Sequence, residues 1–314
     1  MPREKSDELL FILGIDHRFD VFSEALGDDG SQPSAADLER AANLKQLVFA
    51  ALRSAVESGL PKSQAGIWSE TKIGEAVLLR ARGMSLITVA SVERPRVSEF
   101  QFEDALGFAN RLKQLDATYA GARVHYNPTL DAPAKESNRH QLKRLSDICR
   151  SGNPDLLIEL IPVPTEEELQ VAGDREAWDR QFRPEVLIDG IRELQDSGVE
   201  PDVWVIEPPL DAAAAATVSA QAHVDDRTET GVLFMVGDDP GEAIGSDRVR
   251  ETITLAARTP GVQGLVIGPA AYALALRQYH TGKLDHRDAV DQIEANIWRI
   301  VSSFTEARRT SDVS

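Results

Sequence analysis

Two textures alternate along the chain. Short runs of β-branched and other apolar residues, bounded by Gly, Pro or Asp, recur between longer amphipathic stretches. Eight such runs stand out: Leu9 to Asp16, Ala65 to Glu70, Ser85 to Glu93, Ala122 to Pro128, Asp155 to Pro164, Asp202 to Pro208, Gly231 to Asp238 and Gly264 to Gly268. Each precedes a helical pattern, the order expected of a parallel sheet with helical crossovers. Eight such units in 314 residues predict an α/β chain folded as one (β/α)8 TIM barrel. The whole of 1–314 is read as a single domain, its core over about residues 8 to 305.

The helices carry their own punctuation. Ser34 to Asp37 opens the first, Arg183 and Pro184 open the fifth, and Gly198 closes that fifth helix. Ala212 to Ala216 reads as the sixth helix, because Ala is the best helix former and a crossover is due there. Asp285 to Ala307 is a last amphipathic segment that would cover the barrel's outside. The polar stretch Gly27 to Ala36 reads as a loop, and the tail after Arg309 as disordered.

Charge and composition narrow the function. A formal net charge of −17 and a pI near 4.8 give a surface that repels polyanions, which argues against nucleic acid or an anionic membrane as partner. Arg94, Arg96, Arg139, Lys143 and Arg144 are separated by apolar or acidic neighbours, so no basic patch is expected. No apolar run approaches the roughly 20 residues of a membrane span, and Leu9 to Ile15 lacks a small-residue cleavage site. A lone cysteine, Cys149, leaves no internal disulfide, is expected to be buried on its helix, and fits a reducing cytoplasm. The expected partner is a small molecule, in a chain that assembles as a homo-oligomer.

In such barrels the site lies at the C-terminal ends of the strands. Those ends are polar here: Asp16-His17-Arg18, Glu70, Glu93, His125-Tyr126-Asn127, Glu159, Glu207 and Asp238. Residues two apart on a strand share a face, so Gly121, Arg123, His125 and Asn127 share one and Val205 shares another with Glu207. If these faces point inward, Arg123 and Glu159 lie on neighbouring strands and can pair. One reading is a buried ion pair that fixes the barrel. The other is a cation holding a substrate oxygen beside a carboxylate that works as acid or base. The many carboxylates also suit magnesium or manganese, though no fixed ligand spacing supports a metal. There is no Walker loop, no Gly-x-Gly-x-x-Gly and no Gly-x-Ser-x-Gly, so neither a nucleotide cofactor nor a serine hydrolase is indicated.

The strand-end motifs, taken in order, resemble a known family. Ile15-Asp16-His17-Arg18, Gly66 to Gly74, His125-Tyr126-Asn127-Pro128, Leu157-Ile158-Glu159-Leu160 and Gly198-Val199-Glu200-Pro201-Asp202-Val203-Trp204 are similar to the 2-deoxy-5-keto-gluconate 6-phosphate aldolases. That family is the C-terminal domain of a kinase and aldolase fusion in inositol breakdown, and is similar to the class I tagatose-bisphosphate aldolases. The resemblance implies a class I aldolase barrel with a lysine after Trp204, where this chain has Val205, and another at Gly121. It also implies an arginine in the strand-eight motif, where this chain reads Ile267-Gly268-Pro269.

An imine needs a neutral amine, and no other side chain substitutes for it. None of the eight lysines falls in a predicted strand; Lys72 and Lys135 follow strands two and four closely enough to be candidates for a relocated amine. Two readings follow. The first is a lyase-like enzyme on a small sugar-derived or keto compound that works without the usual Schiff-base lysine. Glu159, Asp16 and His125 would be its catalytic groups, and Arg18, Arg123, Asn127, Glu70, Glu207 and Asp238 its substrate-binding groups. The second is a catalytically inactive barrel that binds a metabolite or a protein partner.

Overall fold

The computed structural model describes residues 9–16, 22, 34–95, 97, 99–130, 132–152 and 154–311. Its strands are β1 (Leu10–Gly14), β2 (Ala65–Glu70), β3 (Ile87–Ser91), β4 (Tyr119–Tyr126), β5 (Asp155–Pro162), β6 (Val203–Ile206), β7 (Gly231–Val236) and β8 (Val262–Ile267). They close into a barrel in chain order, the predicted architecture. Each run expected from the pattern overlaps a strand. The largest shift is at β4, which begins at Tyr119 rather than Ala122. Ala120 and Gly121 have weak strand preference of their own, but they pair in register with Leu156 and Leu157 of β5, and the ladder overrides local preference.

The helices are α1 (Ala35–Glu57), α2 (Thr71–Gly83), α3 (Phe108–Leu115), α4 (Ala132–Arg150), α5 (Glu166–Ala172), α6 (Arg175–Gln181), α7 (Arg183–Asp196), α8 (Ala212–Ala222), α9 (Asp247–Arg258), α10 (Ala273–His280) and α11 (His286–Ser311). Ser34 caps α1 through a reciprocal box with Asp37, as the sequence signal requires. Of the stretch Gly27 to Ala36, only its last three residues lie among those described, at the start of α1. Cys149 is buried on α4, and burial pushes its thiol up to about 12, which leaves it an inert thiol.

Packing groups the chain into two compact units. One spans Val92–Phe234 and Leu255–Gly264; the other holds the described residues of Leu9–Ser91, Met235–Thr254 and those from Leu265 onward. In the first, a Cβ built on Gly190 of α7 would lie 3.3 Å from both Leu160 and Tyr126. Leu160 and Tyr126 therefore face the helix. Strand alternation turns Glu159, Arg123 and His125 to the opposite face. In the second unit, a Cβ on Gly74 of α2 would fall 1.9 Å from Ser69 Oγ, so Ser69 faces the helix and Glu70, Trp68 and Gly66 face away from it. That approach explains why α2 carries no side chain there. The long helices α1 and α11 pack on one another in the same unit, and Glu294 accepts hydrogen bonds from Ser54 Oγ at 2.5 Å and Ser58 Oγ at 2.7 Å.

Candidate functional site

In the first unit, the ladders place Arg123, Glu159, Val205 and Leu233 in register across β4 to β7, on the face turned from the helices. Arg123 Nε donates to Glu159 Oε2 at 2.6 Å, with the arginine side chain 19% exposed and the carboxylate 6%. The pair expected from strand parity is therefore present. Val205, where the resembling family carries lysine, is buried beside it and supplies an apolar wall. His125 lies two residues further along β4 on the same face, half-buried. Burial, then the Arg123 charge, holds its imidazole below the ordinary 6.5, which favours the neutral form that can accept a proton. The arrangement puts a fixed cation, a carboxylate and a neutral imidazole along two adjacent strand ends.

Asn127 follows β4 but serves a different end. Its Nδ2 donates to Val163 O at 2.8 Å and to both oxygens of Glu168, while its Oδ1 accepts from Thr129 N and Oγ1. Every polar atom of this fully buried side chain is engaged by the protein, so it anchors the helical excursion α5–α6 in place of the ligand contact that its strand-end position suggests. Glu168 collects the anchors: it also accepts from Trp178 Nε1 at 3.0 Å and Thr165 N at 3.0 Å. Burial pushes its carboxyl up, but the hydrogen bonds from Thr165, Trp178, Asn127 and Thr129 outweigh it and hold the group below 4.5. Glu207, after β6, is bound by Arg183 Nη1 at 3.2 Å, and Arg183 also meets Asp179 at 2.6 Å. In the sequence Arg183 stands only near the start of a helix. Its 4% exposure shows an ion pair that ties α6 and α7 to the end of β6.

The second unit has a polar centre of its own. Asp16 and Glu70 follow β1 and end β2, and both are buried. Lys45 reaches Glu70 from α1: its Nζ donates to the Ile15 carbonyl and to Glu70 Oε2, the latter at 2.8 Å, and lies 4.7 Å from the centre of the Phe22 ring. Phe22 stacks in turn on Tyr272, whose hydroxyl donates to Gly14 O. Burial raises the Glu70 carboxyl above 4.5, opposed by Lys45 and reinforced by the negative charge of Asp16. Strand ends and loops alone do not point to Lys45, which comes from a helix. Its signal was available: it lies three residues before Val48 and four after Ala41, within the buried stripe of α1, where a charge needs a partner. Asp238 is exposed in the loop after β7, which stops at Val236. Arg18 lies outside the described residues.

The two lysines considered as relocated amines are elsewhere. Lys135 is held on α4 by Pro128 O at 2.5 Å and by Glu193 of α7 at 3.5 Å, a carboxylate shared with the helix-facing Tyr126 hydroxyl. Lys72 is exposed on the first turn of α2. Arg139, His140, Lys143 and Arg144 line a groove of about 680 Å³ on α4 together with Glu136 and Asp147. Helical spacing gathers what linear reading separated. Glu136 pairs with Arg139, Asp147 with Lys143, and Arg144 covers the Phe102 and Phe108 rings, so the groove is charged but largely self-neutralised. Among the described residues, no group of three or more His, Cys, Asp or Glu side chains is placed to hold a metal ion, and no helix is long and apolar enough to cross a membrane.

The family model described as an uncharacterized protein conserved in bacteria (DUF2090) matches residues 1–308. A comparison with curated proteins finds no match. Among solved structures, the chain is similar to fructose-bisphosphate aldolase from Plasmodium falciparum, at 16% identity over 94% of this chain and 91% of that one, with a TM-score of 0.60. It is similar to an archaeal fructose 1,6-bisphosphate aldolase at 12% identity over 93% of each chain, with a TM-score of 0.58. A Corynebacterium glutamicum protein shares 17% identity over 95% of this chain and 88% of that one, with a TM-score of 0.54. At these identities the likeness is one of fold, and the fold is an aldolase-type barrel.

Proposed function

We propose a function for this chain, which belongs to the DUF2090 family: a carbon–carbon lyase acting on a small sugar-derived or keto compound without a Schiff base on β6. The observation that carries it is the part-buried Arg123–Glu159 pair on the face of β4 and β5 turned from the helices, with Val205 in register beside it. The aldolases among the structural neighbours and the strand-end resemblance to 2-deoxy-5-keto-gluconate 6-phosphate aldolases support the substrate class.

Cleavage of a β-hydroxy carbonyl compound begins with loss of the hydroxyl proton. Glu159, ionised beside Arg123, is the base that takes it. The pair that bound the proton stays on oxygen and forms the second bond of the new carbonyl, the carbon–carbon bond breaks, and its electrons pass into the other fragment as an enolate. Arg123, always protonated, holds the negative enolate oxygen, the task that an imine nitrogen otherwise performs. Glu159 then gives that proton to the enolate carbon, and the imidazole of His125 relays protons between the carboxyl and water. Asn127 and Glu168 position the α5–α6 excursion after β5.

Solvent-deuterium exchange at the α-carbons of dihydroxyacetone, followed by NMR, tests this half-reaction. Wild type should exchange faster than buffer, and Glu159→Gln should lose at least about a hundredfold of that rate, the usual scale of a general base. Equal rates in the two proteins would remove Glu159 from the chemistry. Borohydride trapping in the presence of the same ketone should leave no adduct; reduction onto Lys45, Lys72 or Lys135 would overturn the account without an imine.

A further inference from the structure

Glu70 is 1% exposed and ends β2, yet its two oxygens have unequal surroundings. Oε2 accepts from Lys45 Nζ at 2.8 Å and from Ser69 Oγ at 3.4 Å. Oε1 is buried and has no hydrogen-bond partner. A buried carboxylate oxygen left without a donor costs free energy, and native structures seldom keep one without a use. The lysine that could have swung to serve both oxygens is held to one side, because its ammonium also donates to the Ile15 carbonyl and rests over Phe22. Charge is balanced within the pair, so what the second oxygen lacks is a neutral donor and not another cation.

We propose that Lys45 and Glu70 form a built acceptor site in which Glu70 Oε1 takes the hydrogen of a hydroxyl on a small polyhydroxylated carbonyl compound. This rests on the reading of the chain as an enzyme on such compounds, and adds to it a determinant of substrate choice. Lys45 is the positioning residue: it opposes the effect of burial on the carboxyl and holds it turned so that one oxygen is spent on the protein and the other is presented. A site with a desolvated charged acceptor rejects an analogue that lacks the matching hydroxyl, because the acceptor is then left bare. Oε1 is sealed from solvent in this structure, so a ligand reaches it only as the surrounding side chains part.

Dihydroxyacetone and hydroxyacetone differ by one hydroxyl and serve as the probe pair, with dissociation constants measured by ligand-observed NMR. Wild type should bind dihydroxyacetone about tenfold more tightly, the factor that corresponds to about 1.4 kcal/mol. In Lys45→Met/Glu70→Met, which replaces a buried ion pair by apolar side chains of similar volume, the preference should fall to within about twofold. Glu70→Gln, which keeps the shape and exchanges the charged acceptor for an amide, should lose it too. A wild type without the preference would leave Oε1 to a buried water and overturn the proposal, as would a double variant that keeps it. Glu159→Gln separates the two readings. If it exchanges deuterium like wild type while the double variant loses the hydroxyl preference, the Arg123–Glu159 mechanism falls and the acceptor site stands; the reverse pattern removes the acceptor site alone.

Discussion

Two ion pairs, the part-buried Arg123–Glu159 and the buried Lys45–Glu70, show how little a side chain's identity reveals until its partner is known. The first was legible in the sequence. Strand periodicity is two, so a cation and a carboxylate at matching offsets on consecutive strands fall on one face, and the ladder then sets them in register. Lys45–Glu70 was not, because its lysine comes from a helix, and no local rule brings a helix residue to the end of a strand. Removing one partner of a buried pair costs far more than removing both. Lys45→Met should therefore lower unfolding free energy by about 3–5 kcal/mol, and Lys45→Met/Glu70→Met should recover most of it, as read from urea unfolding. A double variant as unstable as the single one would contradict this. His125 makes a prediction with a definite sign. Its folded pKa lies below its ordinary 6.5, so the native state binds the proton less readily than the unfolded chain. Its contribution to stability is full above 6.5 and is lost as pH falls through the lower folded value. The urea midpoint of wild type should fall more steeply below about pH 6.5 than that of His125→Gln; parallel curves would show that the imidazole is not desolvated.

Helix boundaries follow from local chemistry where a cap is written into the chain, as at Ser34 and Asp37 of α1. The same signal stands at Thr165 and Glu168, yet α5 and α6 went unforeseen: they are short, their first turns are acidic, and their hold on the structure comes from Asn127 and Trp178, which are distant in sequence or apolar in character. If Glu168 is the latch, Glu168→Ala should raise amide hydrogen exchange selectively over residues 165–182, with β4 and β5 protected as before. Uniform change across the chain would mean general destabilisation. Because hydrogen bonds hold this carboxyl below 4.5, the latch is stable above that pH and loosens as acid protonates it. Helix α2 offers a sharper test of packing. A methyl at Gly74 would overlap Ser69 Oγ at 1.9 Å, so Gly74→Ala should cost about 1–3 kcal/mol, and Gly74→Ala/Ser69→Gly should be less impaired in thermal unfolding than Gly74→Ala alone. An unchanged melting temperature in Gly74→Ala would contradict the close approach.

For the whole molecule, alternation of apolar runs and amphipathic stretches was enough to specify an eight-stranded parallel barrel, because each βα unit states its own period and the connection rules leave few ways to assemble them. Function was less legible, since a barrel fixes where chemistry happens and not which chemistry it is. Asn127 and Glu207 stand at strand ends like Glu159, yet the structure binds them to Glu168 and Arg183. Only three-dimensional partners separate a working end from an anchored one. The central claim is that Arg123 and Glu159 form a ligand-binding, working pair and are more than scaffold. It is tested most directly by thermal shift of wild type, Arg123→Ala and Glu159→Gln against sugars, sugar phosphates and keto acids. A carbonyl compound should stabilise wild type and lose its effect in both variants; variants that are merely less stable, beside a wild type that no compound shifts, would make the pair scaffold.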